Sequence, residues 1–250
     1  MYKTARIPTV ETQVQGSLYT PAHDPDITRF EPGPTTDQLW DDIEVLRYVP
    51  LTASDLQAVG KDPRHYARFR PYTHAIHGIP EDAEGDPRYV AQLDVFHKLH
   101  CLNELRQSTF EQYWGARHKN HTRLYWQHKA HCVSLLYQDL KCNANGDFVP
   151  SFWVRGQSHL MHDFSINRKC ANWDAIVDWR NKYGLSPEEY LENDLITKPS
   201  SEVFERGDAY LHEPPDMYYE LFGGKGSKGD YIWAPDLSPE QVAEQKLGPL

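Results

Sequence analysis

Phe96-His97-Lys98-Leu99-His100-Cys101 recurs further along the chain as Gln127-His128-Lys129-Ala130-His131-Cys132. Both copies have the form His-x-x-His-Cys. Both lie in stretches that read as helix: Asp94 to Gln112 and Leu124 to Leu140 run without Pro or Gly and carry helical spacing. At about 100° per residue, His97 and His100 point within about 60° of each other, and Cys101 lies about 40° to the other side of His97. One narrow helix face therefore carries two imidazoles and a thiol, and His128, His131 and Cys132 repeat it. The loop between, Tyr113 to Arg123, is short enough for an antiparallel helix pair. Such a pair would gather four imidazoles and two sulfurs around one small volume.

Outside this centre the chain is more broken. Residues 1 to 36 are rich in Pro, Thr and Asp, and Pro21, Pro25, Pro32 and Pro34 preclude a long helix, so the reading is an extended arm. A short helix is predicted from about Thr36 to Leu46, and another from Ser54 as N-cap through Val59. Residues 61 to 88 read as loop, and Tyr89 to Asp94 as a strand or the run-in to the next helix. Residues 147 to 169 read as irregular. Asn172 to Tyr183 is a third helix stopped by Gly184, and Ser186-Pro187-Glu188-Glu189 has the form of an N-cap followed by Pro. From Ile196 onward the chain is punctuated by Pro and Gly, with Tyr218, Tyr219, Tyr231 and Trp233 in a wrapping tail. The expected fold is mainly α: a single helix-rich domain around an antiparallel helix pair, with extended irregular N- and C-terminal wrapping segments and room for a few short strands. The whole of 1–250 is read as that one domain, with an arm at 1–35, a core at about 36–195 and a tail at 196–250.

The 250 residues carry 26 Lys and Arg against 36 Asp and Glu, a formal net charge of −10. That acidic balance argues against a nucleic-acid partner, which asks for a basic face. No apolar run approaches the roughly 20 residues needed to cross a bilayer, and Met1 to Gly16 holds no apolar core of a signal peptide, so the chain itself is expected to lack a membrane segment. No Gly-x-Gly-x-x-Gly and no Cys-x-x-Cys-His occurs, which argues against nicotinamide and haem enzymes. Asn120-His121-Thr122 is an N-glycosylation sequon, and with an even count of four Cys it leans toward an oxidising compartment.

Thirteen His in a chain of this kind point to metal. The bland alternative is that the motif His residues are satisfied core groups and the Cys residues staple two helices. An imidazole-rich set suits Cu, Zn, Fe or Ni and disfavours Mg and Ca. Thiolate ligation would favour zinc; cysteines locked in disulfides would leave an all-imidazole set and favour copper. Disulfides are the preferred reading for Cys101, Cys132, Cys142 and Cys170, because Cys142 and Cys170 have no metal-like spacing. Three connectivities are open, including Cys101–Cys132 and Cys142–Cys170. His121, His159 and His162 are further candidate ligands, and Asp94 and Glu104 candidate partners of a ligand imidazole. Trp114, Tyr125 and Trp126 could line a pocket or an electron path, although packing is the commoner role of such residues. Arg106 and Arg123 could meet a substrate carboxylate, with a salt bridge the plainer role.

The run DVFHKLHCLNELR from Asp94 to Arg106 resembles the first signature of the fungal UstYa-like oxidase family. YWQHKAHC from Tyr125 to Cys132, followed by Leu140-Lys141-Cys142, resembles the second, and CANWDAIVDW from Cys170 to Trp179 a third, weaker block. The resemblance covers about residues 36 to 183. It implies an oxidative tailoring enzyme of secondary metabolism that uses O₂ on a peptide or other small natural product, by cyclisation, hydroxylation, desaturation or halogenation. It implies one or two copper ions held by His97, His100, His128 and His131, with zinc the alternative metal, and Cys101 and Cys132 as motif cysteines. It also implies the secretory-pathway lumen, a membrane anchor in full-length members, and a homo- or hetero-oligomer with a related subunit. This chain departs from the pattern at Arg168, where members often have His, and at Asn145, where they often have Asp; the N-terminal membrane helix is not in this sequence. A structural-zinc protein and a non-catalytic partner subunit are the rival readings.

Overall fold

The computed structural model describes residues 7–19, 26–70, 87–115, 123–186, 188–189 and 195–197. The elements run β1 (Thr9–Gln13), a 3-10 turn (Ile27–Arg29), α1 (Pro34–Glu44), β2 (Val49–Leu51), α2 (Ala53–Ala58), a second 3-10 turn (Pro63–His65), β3 (Arg68–Phe69) and β4 (Tyr89–Ala91). There follow α3 (Asp94–Thr109), α4 (Glu111–Trp114), α5 (Arg123–Cys142), β5 (Ser151–Phe152), β6 (Met161–His162), β7 (Asn167–Ala171), α6 (Trp173–Tyr183) and β8 (Ile196–Thr197). Helix dominates and the strands are short and antiparallel, in keeping with the mainly-α expectation. Two compact units divide the described residues: α5 with the residues after it to Ala144 forms one, and every other element belongs to the other.

Within the larger unit the strand Thr9–Gln13 of the N-terminal arm is extended and pinned, while Ile27–Arg29 forms a 3-10 turn. β1 pairs with β7 so that Val10 faces Cys170 and Thr12 faces Arg168. The Asn172 amide donates to the Pro8 carbonyl at 2.9 Å, which carries the ladder to the mouth of α6. A four-stranded sheet in the order β2-β4-β3-β8 settles Tyr89 as strand. Phe69 of β3, Leu185 and Leu195 are buried in one cluster, with Tyr48, Val90 and Ile196 packed against them. Tyr48 and Leu185 exchange both backbone hydrogen bonds, at 2.9 and 2.8 Å. Residues 147 to 169, read as irregular, in fact contain the β5–β6 hairpin and the start of β7.

Local chemistry sets the helix ends. α1 opens at Pro34, earlier than expected, because the first helical position has no amide to lose. α2 is capped by Thr52 and not Ser54: the Thr52 hydroxyl accepts from the Asp55 amide while the Asp55 carboxylate accepts from the Thr52 amide. α3 stops at Thr109, short of the expected Gln112. Ser108 and Thr109 donate their hydroxyls back to the Leu105 and Arg106 carbonyls, at 2.6 and 2.7 Å, and compete with the helical ladder there. α6 is capped by Asn172, whose side-chain oxygen accepts from the Ala175 amide at 3.0 Å. Ser186 and Glu189 form a further reciprocal cap, at 3.2 and 2.7 Å.

The packing that positions α3 centres on Phe96, which is buried and meets the Trp173 ring at a centroid distance of 5.5 Å. Burying such a ring contributes about 1.5–3 kcal/mol. Nearly three turns on, the Arg106 guanidinium sits over the Trp40 ring of α1 at 5.1 Å and reaches Asp37 at 3.4 Å.

Candidate metal centre

α3 presents the first motif. Cys101 has no exposed surface, and His97 and His100 are half-buried beside it. His100 turns toward α1: its Nδ1 lies 3.3 Å from Oε2 of Glu44. Lys98, inside the motif, reaches back one turn to Asp94 at 2.6 Å, so the carboxylate of Asp94 is engaged by a lysine.

α5 presents the second motif in its own unit. Cys132 has no exposed surface, His128 is half-buried and His131 is exposed. The His128 and His131 rings lie 15° from parallel with centroids 6.5 Å apart, the shared face that their spacing predicts. Lys129 also reaches back one turn, but to the Tyr125 ring, 5.1 Å from its centre. The same lysine of the repeat thus makes an ion pair in one copy and a cation–π contact in the other.

Tyr113, which shares Asp37 with Arg106 of α3, and Arg180, which meets Phe96 of α3, have shifted acidities. The Tyr113 phenol donates to Asp37 at 2.9 Å, and that bond to a carboxylate raises its pKa above the ordinary value of 10.0. Burial lowers the Arg180 pKa below its ordinary value, and the neighbouring Arg47 charge adds to this. An arginine remains a cation throughout.

The other residues singled out in the sequence fall as follows. Arg106 bonds Asn103 at 2.9 Å and pairs with Asp37, so its plainer role is the one realised. Trp114 meets Tyr113 edge-on at 5.1 Å, and Tyr125 meets Trp126 likewise at 5.1 Å. Glu104 is half-buried on α3, and Arg123 opens α5. His162 lies on β6, bonded through Nδ1 to the Ser151 hydroxyl at 2.8 Å. His159 precedes that strand, so the two do not share a helix face. Cys142 is exposed and Cys170 half-buried, each a free thiol, so the disulfide reading is not realised at these two residues. Cys170 is held in the ladder opposite Val10, while Cys142 ends α5. Of the two departures from the family pattern, Arg168 pairs with Asp147 at 3.3 Å, and Asn145 accepts from the Asp147 amide at 3.2 Å. Asn120, His121, Tyr218, Tyr219, Tyr231 and Trp233 lie outside the described residues. Among the described residues, no helix is long and apolar enough to cross a membrane.

Glu44 is the site residue that sequence reading missed. It lies far from His100 in the chain, and no local pattern links them. The available signal was the run Asp41, Asp42 and Glu44 at the end of α1 with no basic residue in its last turn, where a helix disfavours negative charge.

Two helices that each carry paired imidazoles and a buried cysteine define a histidine–cysteine protein of metal-binding composition. The comparisons with known proteins narrow this. Residues 3–183 match the family model described as mycotoxin biosynthesis protein UstYa. The UstYa family oxidase aprY of Aspergillus flavus is 37% identical over 183 residues, covering 70% of this chain and 52% of that protein. The chlorinase cctP2 of Talaromyces islandicus is 27% identical over 161 residues, 60% of this chain and 48% of that one. The oxidase ustYa of Aspergillus flavus is 28% identical over 95 residues, 37% of this chain and 41% of that one. No solved structure matches. The chain belongs to the UstYa family, and it spans about half the length of these relatives.

Proposed function

We propose that the chain is a copper-dependent oxidoreductase that uses O₂ to tailor a peptide or other small natural product. The observation that carries this reading is the doubled His-x-x-His-Cys, with each copy on one helix, in a chain of a family whose named members include oxidases and a chlorinase. The donor set fits the metal: imidazoles and soft sulfur suit Cu and Zn and disfavour Mg and Ca. His97 and His100 of α3 and His128 and His131 of α5 are the donors put forward, for one ion or two, with Cys101 and Cys132 as the motif cysteines. Bound copper supplies the one-electron chemistry with O₂ that oxidative cyclisation, hydroxylation, desaturation or halogenation requires.

The chain's own residues bind and orient. The motif imidazoles must be neutral to offer a lone pair. Cys101 and Cys132 either add sulfur ligands or close a disulfide beside the imidazoles. Buried Phe96, next to His97, keeps water from that side of the first motif. We place the enzyme in the secretory lumen, acting alone or with a related subunit. The observation that favours a structural-zinc alternative is the buried Cys101 one turn from His97, a pairing typical of zinc sites.

The test loads the full chain separately with copper and zinc, counts free thiols on the same samples and assays O₂ consumption with candidate substrates. One or two retained copper ions, lost in His97→Ala and His131→Ala with unchanged circular dichroism, are expected. Retained zinc with metal-bound thiols and no O₂ uptake would turn the reading to structural zinc. Retention of neither metal would remove it.

A further inference from the structure

The Glu44–His100 contact does more than fill a gap between α1 and α3. We propose that Glu44 is a positioning residue: it holds His100 as the Nδ1–H tautomer and turns its Nε2 lone pair toward the metal. This rests on the proposed role of His100 as a ligand.

The chemistry of the pair fixes the direction of the bond. A carboxylate only accepts, so at 3.3 Å the Nδ1 of His100 is the donor to Oε2 of Glu44. A neutral imidazole carries one N–H, so Nε2 is then the unprotonated nitrogen. Both side chains are partly shielded, 30% exposed for His100 and 19% for Glu44, which strengthens the contact relative to a surface pair. The location of Glu44 runs against local preference. It is the last residue of α1, and no basic residue lies in that turn. A helix C-terminus disfavours a carboxylate, and such local conflicts concentrate at functional sites.

The surroundings hold the pair in register. Arg180 of α6 donates from Nη1 to the Val45 carbonyl at 3.0 Å, one residue beyond Glu44. The same guanidinium lies 4.2 Å from the centre of the Phe96 ring, one helical turn before His100. A single buried cation therefore fixes both the end of α1 and the first turn of α3. Metal-binding imidazoles are commonly backed through their second nitrogen by a carboxylate, and loss of that partner typically weakens metal binding about 10- to 100-fold. Asp94, a carboxylate on the same helix as His100, is committed to Lys98 instead.

The experiment begins without metal. In the ¹⁵N-labelled full chain at pH 8, the imidazole nitrogens of His100 are assigned by difference from His100→Gln. Wild type is expected to show His100 as Nδ1–H with an unprotonated Nε2. Glu44→Gln, which keeps an acceptor oxygen, is expected to preserve that form. Glu44→Ala is expected to shift it toward the Nε2–H form. Copper titration is then expected to show about 10-fold or greater weakening for Glu44→Ala and a smaller change for Glu44→Gln. An Nε2–H His100 in wild type, or a tautomer unchanged in Glu44→Ala, overturns the proposal. If the tautomer shifts while neither Glu44→Ala nor His100→Gln alters copper binding, the ligand role of His100 is overturned and the pairing alone stands. Circular dichroism and a urea transition on each variant exclude simple unfolding.

Discussion

The guanidinium carbon of Arg180 lies 4.2 Å from the centre of the Phe96 ring, face on to the residue that precedes the first motif histidine. Arg180 is almost fully buried, and its carbonyl partner Val45 ends the turn that carries Glu44. A desolvated cation–π contact is worth about 2 kcal/mol and a charged hydrogen bond about 1.5–3 kcal/mol. The desolvation of the guanidinium offsets part of this. Arg180→Ala is therefore expected to lower unfolding free energy by about 2 kcal/mol in urea. Arg180→Lys is expected to recover only part of the loss, because an ammonium lacks the planar stacking face. A change below about 0.5 kcal/mol in Arg180→Ala would mean that desolvation cancels the contacts.

Exposure orders the four cysteines. Cys142 is exposed at the end of α5 and Cys170 is half-buried in the β1–β7 ladder, while Cys101 and Cys132 have no exposed surface. A thiol reagent added to the native chain is expected to label Cys142 within the mixing phase and Cys170 more slowly. Cys101 and Cys132 are expected to react only on unfolding. If those two resist labelling in denaturant without reductant, they are joined in a disulfide, and the all-imidazole copper set gains over thiolate-bound zinc.

The helices were legible in the sequence because their signals are local. Asp94 and Leu124 begin long periodic runs without breakers, and α3 and α5 occupy them. Asn172 and Gly184 bracket α6 as cap and stop. Where the reading slipped, a side chain had redirected the backbone. Ser108 and Thr109 bend their hydroxyls onto the preceding carbonyls and end α3 early. Pro34, which precludes a helix running through it, is the first residue of α1. The site was half legible. The repeat exposes His97, His100, His128 and His131 directly, but the Glu44 partner of His100 depends on how α1 packs against α3, which no sequence period encodes. His159 and His162 had ligand spacing only if they lay on a helix, and β6 places His162 on a strand.

The cap of α2 separates two adjacent hydroxyls. Thr52 accepts from the Asp55 amide at 3.1 Å and is answered by the Asp55 carboxylate, also at 3.1 Å. Ser54 touches only the Thr52 hydroxyl among its hydrogen bonds here, at 2.9 Å. Thr52→Ala is expected to cost about 1 kcal/mol, and Ser54→Ala only a few tenths. Thermal melts of the two variants check the order. Equal losses would assign the cap to both residues.

Asp62 gives a pH signature free of metal. Its carboxylate is lowered from 3.8 to about 2, first by the side chain of Arg64 and then by the Arg64 amide. The contacts are 2.6 Å from Nη2, 3.0 and 3.1 Å from Nε, and 3.0 Å from the backbone. A carboxyl whose pKa falls on folding adds stability above its unfolded value, and loses it as the pH drops through the folded one. The contribution is therefore complete above about pH 5 and fades as acid approaches pH 2. The group is exposed and salt screens it, so the effect is expected to shrink at high ionic strength. Carbonyl-detected NMR is expected to find the Asp62 midpoint near 2 in the native chain. In Arg64→Ala the midpoint is expected to rise toward 3.8 without reaching it, because the backbone amide still donates. A midpoint unmoved by that substitution would show that the backbone amide alone holds the carboxylate.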